Sequence, residues 1–130
     1  MKKNIFYLLT ILLINSAIAD DKNALDYCSK VNAWPASRMI SEAVKNNALL
    51  DGSRASSKIL STTPVTENNK PVNAGIWGPI YLQIIKLSIP YKLPNQTQEV
   101  ELIVSSFISA QECSIAEPSY MNLTELKKIR

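Results

Sequence analysis

The chain has 130 residues, 14 lysines and arginines, 11 aspartates and glutamates, and no histidine. The absence of histidine excludes Ser-His-Asp and Cys-His catalysis, histidine-ligated zinc and the ordinary proton shuttle of neutral pH. Without Lys2 and Lys3, which belong to the leader described next, the net charge falls from +3 to about +1. That balance argues against a protein that binds nucleic acid or another polyanion.

The first nineteen residues have the pattern of a secretory signal peptide. A basic start precedes an apolar core over Ile5–Ile14, and Ala17 and Ala19 supply the small residues that signal peptidase requires. The apolar run is short for a transmembrane span, although an uncleaved anchor is the alternative. We therefore expect cleavage after Ala19 and a periplasmic or secreted bacterial protein without stable membrane association. Its mature chain would begin at Asp20.

The mature chain retains two cysteines, Cys28 and Cys113. An even number of cysteines in an exported chain predicts a disulfide. A reactive or metal-binding pair is the alternative, but the two residues lack the usual close spacing and any histidine partner. The bridge would close a loop of 86 residues. In the chain-entropy model such a loop contributes at most ~4.6 kcal/mol to stability.

Apolar periodicity predicts two helices in the first part of the mature chain. Asp20 and Asp21 can cap the first, and Pro35 suits the first turn of the second because its missing N–H needs no partner there. Asp51-Gly52 provides a stop signal. The apolar positions recur at helical spacing: Ala24, Leu25, Cys28 and Val31 in the first helix, and Ala36, Met39, Ile40, Ala43, Val44 and Ala48 in the second.

The remaining sequence predicts further helices. Ser53 can cap a short third helix with Ala55, Ile59 and Leu60, and residues 61–73 predict a long loop. Residues 77–88 fit a helix better than the alternative strand pair, and a last helix ends at Cys113 with the stripe Val100, Ile103, Val104, Phe107 and Ile108. We expect an all-α fold: four to five short helices in a compact bundle, tied by one disulfide. The single helical domain would span 20–113, and residues 114–130 would form a C-terminal tail with one turn at "NLTELKKIR".

Catalytic motifs are lacking in the sequence. There is no Ser-x-x-Lys pair, and the glycines at 52, 75 and 78 are too scattered for a phosphate-binding loop. On a helix, Glu99 and Glu101 would diverge by about 200°, so they would not form a glycosidase pair. We expect no enzymatic activity, no cofactor and no metal site.

Two features could serve protein binding. Trp34 and Trp77 could anchor an interface, although we favour a core position for both. A polar loop between Pro64 and Pro71 is the candidate partner-binding site, and a solvated connector is the equal alternative. The residues of this candidate loop are Thr66, Glu67, Asn68, Asn69 and Lys70.

A family resemblance rests on the segments "WPASRMI" and "LLDGSRASSKIL". The matching positions are Trp34, Ser37 and Arg38 in a segment that opens a helix, Asp51, Ala55 and Leu60 in an Asp-led helix, and a late disulfide cysteine, Cys113. In these positions the chain resembles the periplasmic immunity proteins that protect bacteria from type VI secretion amidases. The resemblance implies an exported, all-helical and usually dimeric protein that plugs the peptidoglycan-cleaving groove of its toxin.

These observations predict an exported small helical binding protein. In its narrowest form it is an immunity protein that occludes the active site of a secreted peptidoglycan amidase, with a protein partner and a possible homodimer. A periplasmic stress chaperone, or an accessory subunit of a secretion or adhesion assembly, is the alternative. Arg38 is assigned a structural role near the start of its helix, through a hydrogen bond to a neighbouring carboxylate or carbonyl.

Overall fold

The structure is a computed structural model that describes residues 21–95 and 97–129. The predicted signal peptide, its cleavage site and the mature N-terminus lie outside these residues. The helices are α1 (21–27), α2 (Trp34–Asn46) and α3 (Leu123–Lys127), and short 3-10 turns lie at Gly52–Arg54 and Gly75–Trp77. The strands are β1 (Ser56–Pro64), β2 (Thr66–Glu67), β3 (Lys70–Pro71), β4 (Tyr81–Pro90), β5 (Glu99–Ile108) and β6 (Ser119–Asn122).

Four of the strands form one antiparallel sheet in the order β1-β4-β5-β6. The central pair, β4 and β5, is in register over ten residue pairs, from Tyr81–Ile108 to Pro90–Glu99. A bulge at Leu60 shifts the register of β1 against β4. β2 and β3 pair only with each other, in a separate hairpin inserted between β1 and β4.

The prediction of an all-α bundle is wrong, because the protein is mostly β. The predicted third helix is a 3-10 turn followed by β1, the helix predicted over 77–88 is largely β4, and the last predicted helix is β5. The physical reason is visible in β5, which carries large apolar residues on both faces. Its predicted helical stripe combines inward residues (Val100, Val104 and Ile108) with outward ones (Ile103 and Phe107). Apolar residues that alternate between the two faces of a strand therefore gave the same sequence spacing as one apolar stripe of a helix with period 3.6.

The two N-terminal helices are confirmed, but α1 ends at residue 27, so Cys28 and Val31 of its predicted stripe lie in the turns that follow it. α2 begins at Trp34 with proline in its first turn, as predicted, but it ends at Asn46, before Ala48 and the Asp51-Gly52 stop signal. The predicted C-terminal turn is also confirmed as α3, whose N-cap Asn122 accepts a hydrogen bond from the Glu125 N–H.

The main core lies between α2 and the inner face of the sheet. Ala36 and Met39 are buried on α2, and Leu50 follows from the next loop. They pack against alternate residues of the central strands: Ile85, Leu87, Ile89, Val100, Leu102 and Val104. Full burial of each large aliphatic side chain stabilises the fold by about 1.5–3 kcal/mol. Within residues 21–95 and 97–129, no helix is both long and apolar enough to cross a bilayer.

A second, smaller core ties α1 to the far end of the sheet. Leu25, Cys28 and Ile108 are buried together, and the predicted Cys28–Cys113 disulfide is present, with a Cα–Cα distance of 5.4 Å. The buried Gln83 adds a polar link, because its Nε2 donates to the Leu25 carbonyl (3.0 Å) and to Thr62 Oγ1 (3.1 Å). The disulfide therefore joins the turn after α1 to the segment after β5, and one hydrogen bond joins α1 itself to β4.

Replacing both cysteines, Cys28→Ala with Cys113→Ala, should lower the free energy of unfolding by up to ~4.6 kcal/mol, because the unfolded chain regains the entropy of its large closed loop. Urea denaturation of the oxidised wild type and of the double variant measures the difference. The reduced wild type is the control and should resemble the variant. Equal urea midpoints for all three samples would contradict a stabilising bridge.

Candidate functional site

The chain between β1 and β4 forms a two-lobed arm, which we define as residues 65–80. Its base is a ring of three backbone hydrogen bonds, each 2.9 Å long. The Val65 N–H donates to Ile80, the Ile80 N–H donates to Val72, and the Val72 N–H donates to Val65. This ring closes two loops on one junction, so the arm leaves the sheet with its base fixed.

The first lobe, residues 66–71, is a tight hairpin. Thr66 pairs with Pro71 and Glu67 with Lys70, and the turn residues Asn68 and Asn69 have φ of 50° and 62°. Two consecutive left-handed residues make a type I′ turn, whose twist matches that of the flanking strands. Asparagine tolerates this conformation better than most residues, so the Asn-Asn pair explains why the hairpin forms here.

The second lobe, residues 73–79, is a glycine-bounded loop. Gly75 and Gly78 have φ of 58° and 74°, a region that glycine adopts without steric cost. The Ala74 N–H donates to the Gly78 carbonyl (2.9 Å), and Asn73 and Pro79 form an isolated bridge. These contacts close the loop around Ile76 and Trp77.

The second lobe presents its large apolar side chains to solvent. Ile76 is 91% exposed and Trp77 is 40% exposed. Burying such groups in a partner is favourable, and tryptophan is among the residues that contribute most to interfaces. Because the loop is already closed in the free protein, little conformational entropy remains to be lost on binding. The second lobe is therefore a closed loop that holds an exposed apolar pair on the surface of the free protein.

The sequence-predicted site residues all lie in the first lobe. Thr66, Glu67, Asn68, Asn69 and Lys70 are exposed and adjacent, but they form a hairpin rather than an irregular loop. The structure adds the second lobe, whose residues 77–79 the sequence interpretation had included in a helix. Gly75 and Gly78 directly flank the pair Ile76-Trp77 in the sequence. This spacing of two glycines was the signal that indicated a closed loop.

Neither tryptophan occupies the core position that we favoured. Trp34 is 39% exposed at the start of α2, and Trp77 is similarly exposed on the arm. The core residue at the start of α2 is instead Pro35, together with Ala36. Both tryptophan residues are thus partly exposed to solvent.

Arg38 lies beside two carboxylates. Its Nη1 is 3.1 Å from Glu42 Oε2, one turn along α2, and its Nε is 3.5 Å from Glu117 Oε2 in the segment before β6. These contacts join α2 to that segment. They agree with the structural role that the sequence suggested for Arg38.

Asp51 joins the end of α2 to the end of β4. Its side chain accepts hydrogen bonds from Ser53 and from Arg54 Nε (2.8 Å), and its N–H donates to the Pro90 carbonyl (2.8 Å). The hydrogen bond from the Ser53 side chain, followed by that from Arg54, lowers the pKa of Asp51 from 3.8 to about 2.

The segment 49–60, one of the two on which the family resemblance rests, does not form a helix led by Asp51. Asp51 instead precedes a 3-10 turn, and Leu60 is the bulge residue of β1. The Asp-led helix implied there is wrong.

Glu101 and Glu99 lie on one face of β5, which corrects the expectation that they diverge. Glu101 pairs with Lys127 (2.9 Å) and with Lys86 (3.2 Å), and these two hydrogen bonds lower the pKa of its carboxyl. A carboxylate held ionised between two lysines is unsuited to act as a general acid.

Among the described residues, no group of three or more acidic, cysteine or histidine side chains is placed to hold a metal ion.

No protein-family model, no curated protein and no solved structure matches the chain.

Asp51→Asn should destabilise the protein at pH 7, and the loss should shrink as the pH falls from about 5 to 2. The folded-state pKa of Asp51 lies below its ordinary value, so its contribution is present above pH 4 and is lost as the carboxylate is protonated near pH 2. Thermal melts of both proteins at several pH values measure the difference in melting temperature between the wild type and the variant. A difference that stays constant down to pH 2 would contradict the assigned contacts.

Proposed function

We propose that the protein is an exported binding protein, without catalysis of its own, that engages a protein partner through its two-lobed arm. The observation that carries this proposal is the second lobe, which holds an almost fully exposed Ile76 beside Trp77 in a closed loop. Side chains outside the core contribute no burial free energy to folding, whereas an interface with a partner can bury both Ile76 and Trp77.

The two lobes offer complementary contacts. The first lobe carries polar and charged side chains, among them Glu67 and Lys70, and the second carries the apolar pair. Interfaces commonly combine an apolar centre with a polar rim. The lobes diverge from one hydrogen-bonded junction, so a partner can contact both.

The exported location rests on the signal sequence and on the disulfide. A Cys28–Cys113 bridge in a small domain is compatible with an oxidising compartment, where such bonds form and persist. We infer a periplasmic or secreted protein that folds around this bridge after export.

The narrower form of the proposal is inhibition of a secreted peptidoglycan amidase by occlusion of its active site. The first lobe supports this form because a two-stranded hairpin, with strands about 4.8 Å apart, is narrow enough to enter a substrate groove. The other support is the resemblance of Trp34, Ser37 and Arg38 on α2 to the immunity family. The all-helical fold that this resemblance implied is not retained.

The alternative form is a periplasmic stress chaperone. One observation favours it: outward residues of the sheet, including Phe107 and Met121, are 44% and 58% exposed. A chaperone should expose more of this surface on acidification, and binding of an apolar-surface dye as the pH falls would measure it. A dye signal that does not change with pH would remove this alternative.

The arm should account for partner affinity. We expect the double variant Ile76→Ser with Trp77→Ser to lose partner affinity by at least about thirtyfold, corresponding to hot-spot losses of about 2 kcal/mol or more. Mature protein, oxidised, would be used to capture secreted and periplasmic proteins, and one stoichiometric partner would be purified and titrated against each variant. An amidase partner would also be assayed for inhibition.

Two variants serve as controls. Leu49→Ser removes an apolar side chain that is 58% exposed outside the arm, and Arg38→Ala removes the ion pairs of α2. Both should bind as the wild type does, with Arg38→Ala melting at a slightly lower temperature. A folded arm variant that keeps full affinity, or a stable Arg38→Ala variant that loses it, would overturn the assignment of binding to the arm.

A further inference from the structure

Part of the outer face of the sheet, opposite α2, carries large apolar side chains where a solvated face is ordinarily polar. Antiparallel sheets with one face on the core usually place polar residues outward. Here the outward positions of β4, β5 and β6 include five large apolar residues: Leu82, Ile84, Ile103, Phe107 and Met121. We call these residues the outer patch.

The outer patch forms a groove rather than a flat surface. The cavity along it measures about 440 Å³ and extends across the three strands from Leu82 to Met121. Phe107 and Met121 are the most exposed of its large side chains, at 44% and 58%. A contiguous apolar groove of this kind marks an interaction site more often than it marks bare surface.

A cluster of lysines lies at the end of the sheet beyond the groove. Lys58 on β1 is directly opposite Lys86 on β4, and like charges in this position destabilise a strand pair. Glu101 neutralises Lys86 (3.2 Å) but also binds Lys127 (2.9 Å). Within the described chain, no carboxylate lies within ion-pair distance of Lys58. Glu101 is thus shared by Lys86 and Lys127, Lys58 has none of the described carboxylates beside it, and Glu99 lies farther out on β5, opposite Pro90.

The shape of the surface favours a partner that contacts the sheet with a helix over a partner that adds a strand to its edge. The exposed edge of β1 is interrupted by the bulge at Leu60 and ends at Pro64, and β6 has only four residues. Bulges, prolines and short strands are features that discourage pairing along an edge. A helix needs no edge, because its backbone groups are already paired. The opposite face of the same sheet already packs against a helix, α2.

We propose that the outer patch binds an amphipathic helix of a protein partner, whose apolar stripe fills the groove and whose carboxylate meets Lys58 beside Lys86. This surface is separate from the arm, and the inference does not depend on the proposed function. The lysines select an acidic helix, and the groove supplies the apolar contact.

Two synthetic helical peptides, each about four turns long, test the proposal. Both carry the same leucine stripe at i, i+3, i+4 and i+7, and they differ only in having glutamate or lysine at the polar positions near one end. Fluorescence anisotropy measures their binding to the oxidised mature protein. We expect the glutamate peptide to bind at least about tenfold more tightly, and Lys58→Glu to reverse the preference, in line with charge complementarity.

Variants locate the binding surface. Phe107→Ser should weaken both peptides by about tenfold or more, whereas Leu49→Ser and Ile76→Ser should change neither. Phe107, Lys58 and both control positions are exposed, so thermal melts should verify that every variant is folded.

Four results would overturn the proposal. The first is equal affinity for the two peptides, and the second is binding that survives Phe107→Ser. The third is no peptide binding but adsorption to vesicles containing phosphatidylglycerol, which would make the patch a membrane contact. The fourth is a wild-type dimer that Phe107→Ser dissociates, measured by sedimentation, which would make a second copy the occupant.

Discussion

The pairing of β4 with β5 is the constraint on which the rest of the structure depends. Ten residue pairs hold the two strands in register, so one set of alternate residues faces α2 and the other faces outward. A shift of one residue would exchange these sets and remove the core. The same register places Tyr81 opposite both Pro64 and Ile108, and this end of the sheet carries the arm and lies next to the small core around the disulfide.

The sequence predicted the helical part of the fold but not the sheet. α1, α2, α3 and the disulfide depend on local spacing or on cysteine number, which a single sequence displays. The strands depend on pairing between distant residues, and their apolar outer faces added Ile103 and Phe107 to what looked like one helical stripe. The abundance of β-branched residues in β4 and β5 was the signal that favoured strands, because isoleucine and valine lose side-chain freedom in helices.

The candidate site was predicted in part. Residues 66–70 are exposed between two prolines, as their polarity indicated, and Asn68-Asn69 is a turn pair that could have identified the hairpin. The second lobe was missed because its Trp77 was interpreted, together with Ile80, as part of a helical period. Its form depends on the hydrogen-bonded ring of Val65, Val72 and Ile80. No local pattern encodes that ring, since it joins residues from three separate stretches of chain.

The central claim is that the arm is an ordered element of the free protein, fixed at its base by the hydrogen-bonded ring next to β4. Amide hydrogen exchange by NMR on the oxidised mature protein tests this most directly. We expect the N–H groups of Val65, Val72 and Ile80 to exchange far more slowly than those at the hairpin tip, because all three donate in the ring. Exchange of all three at the rate of an unfolded chain, while β4 and β5 stay protected, would contradict a preorganised arm.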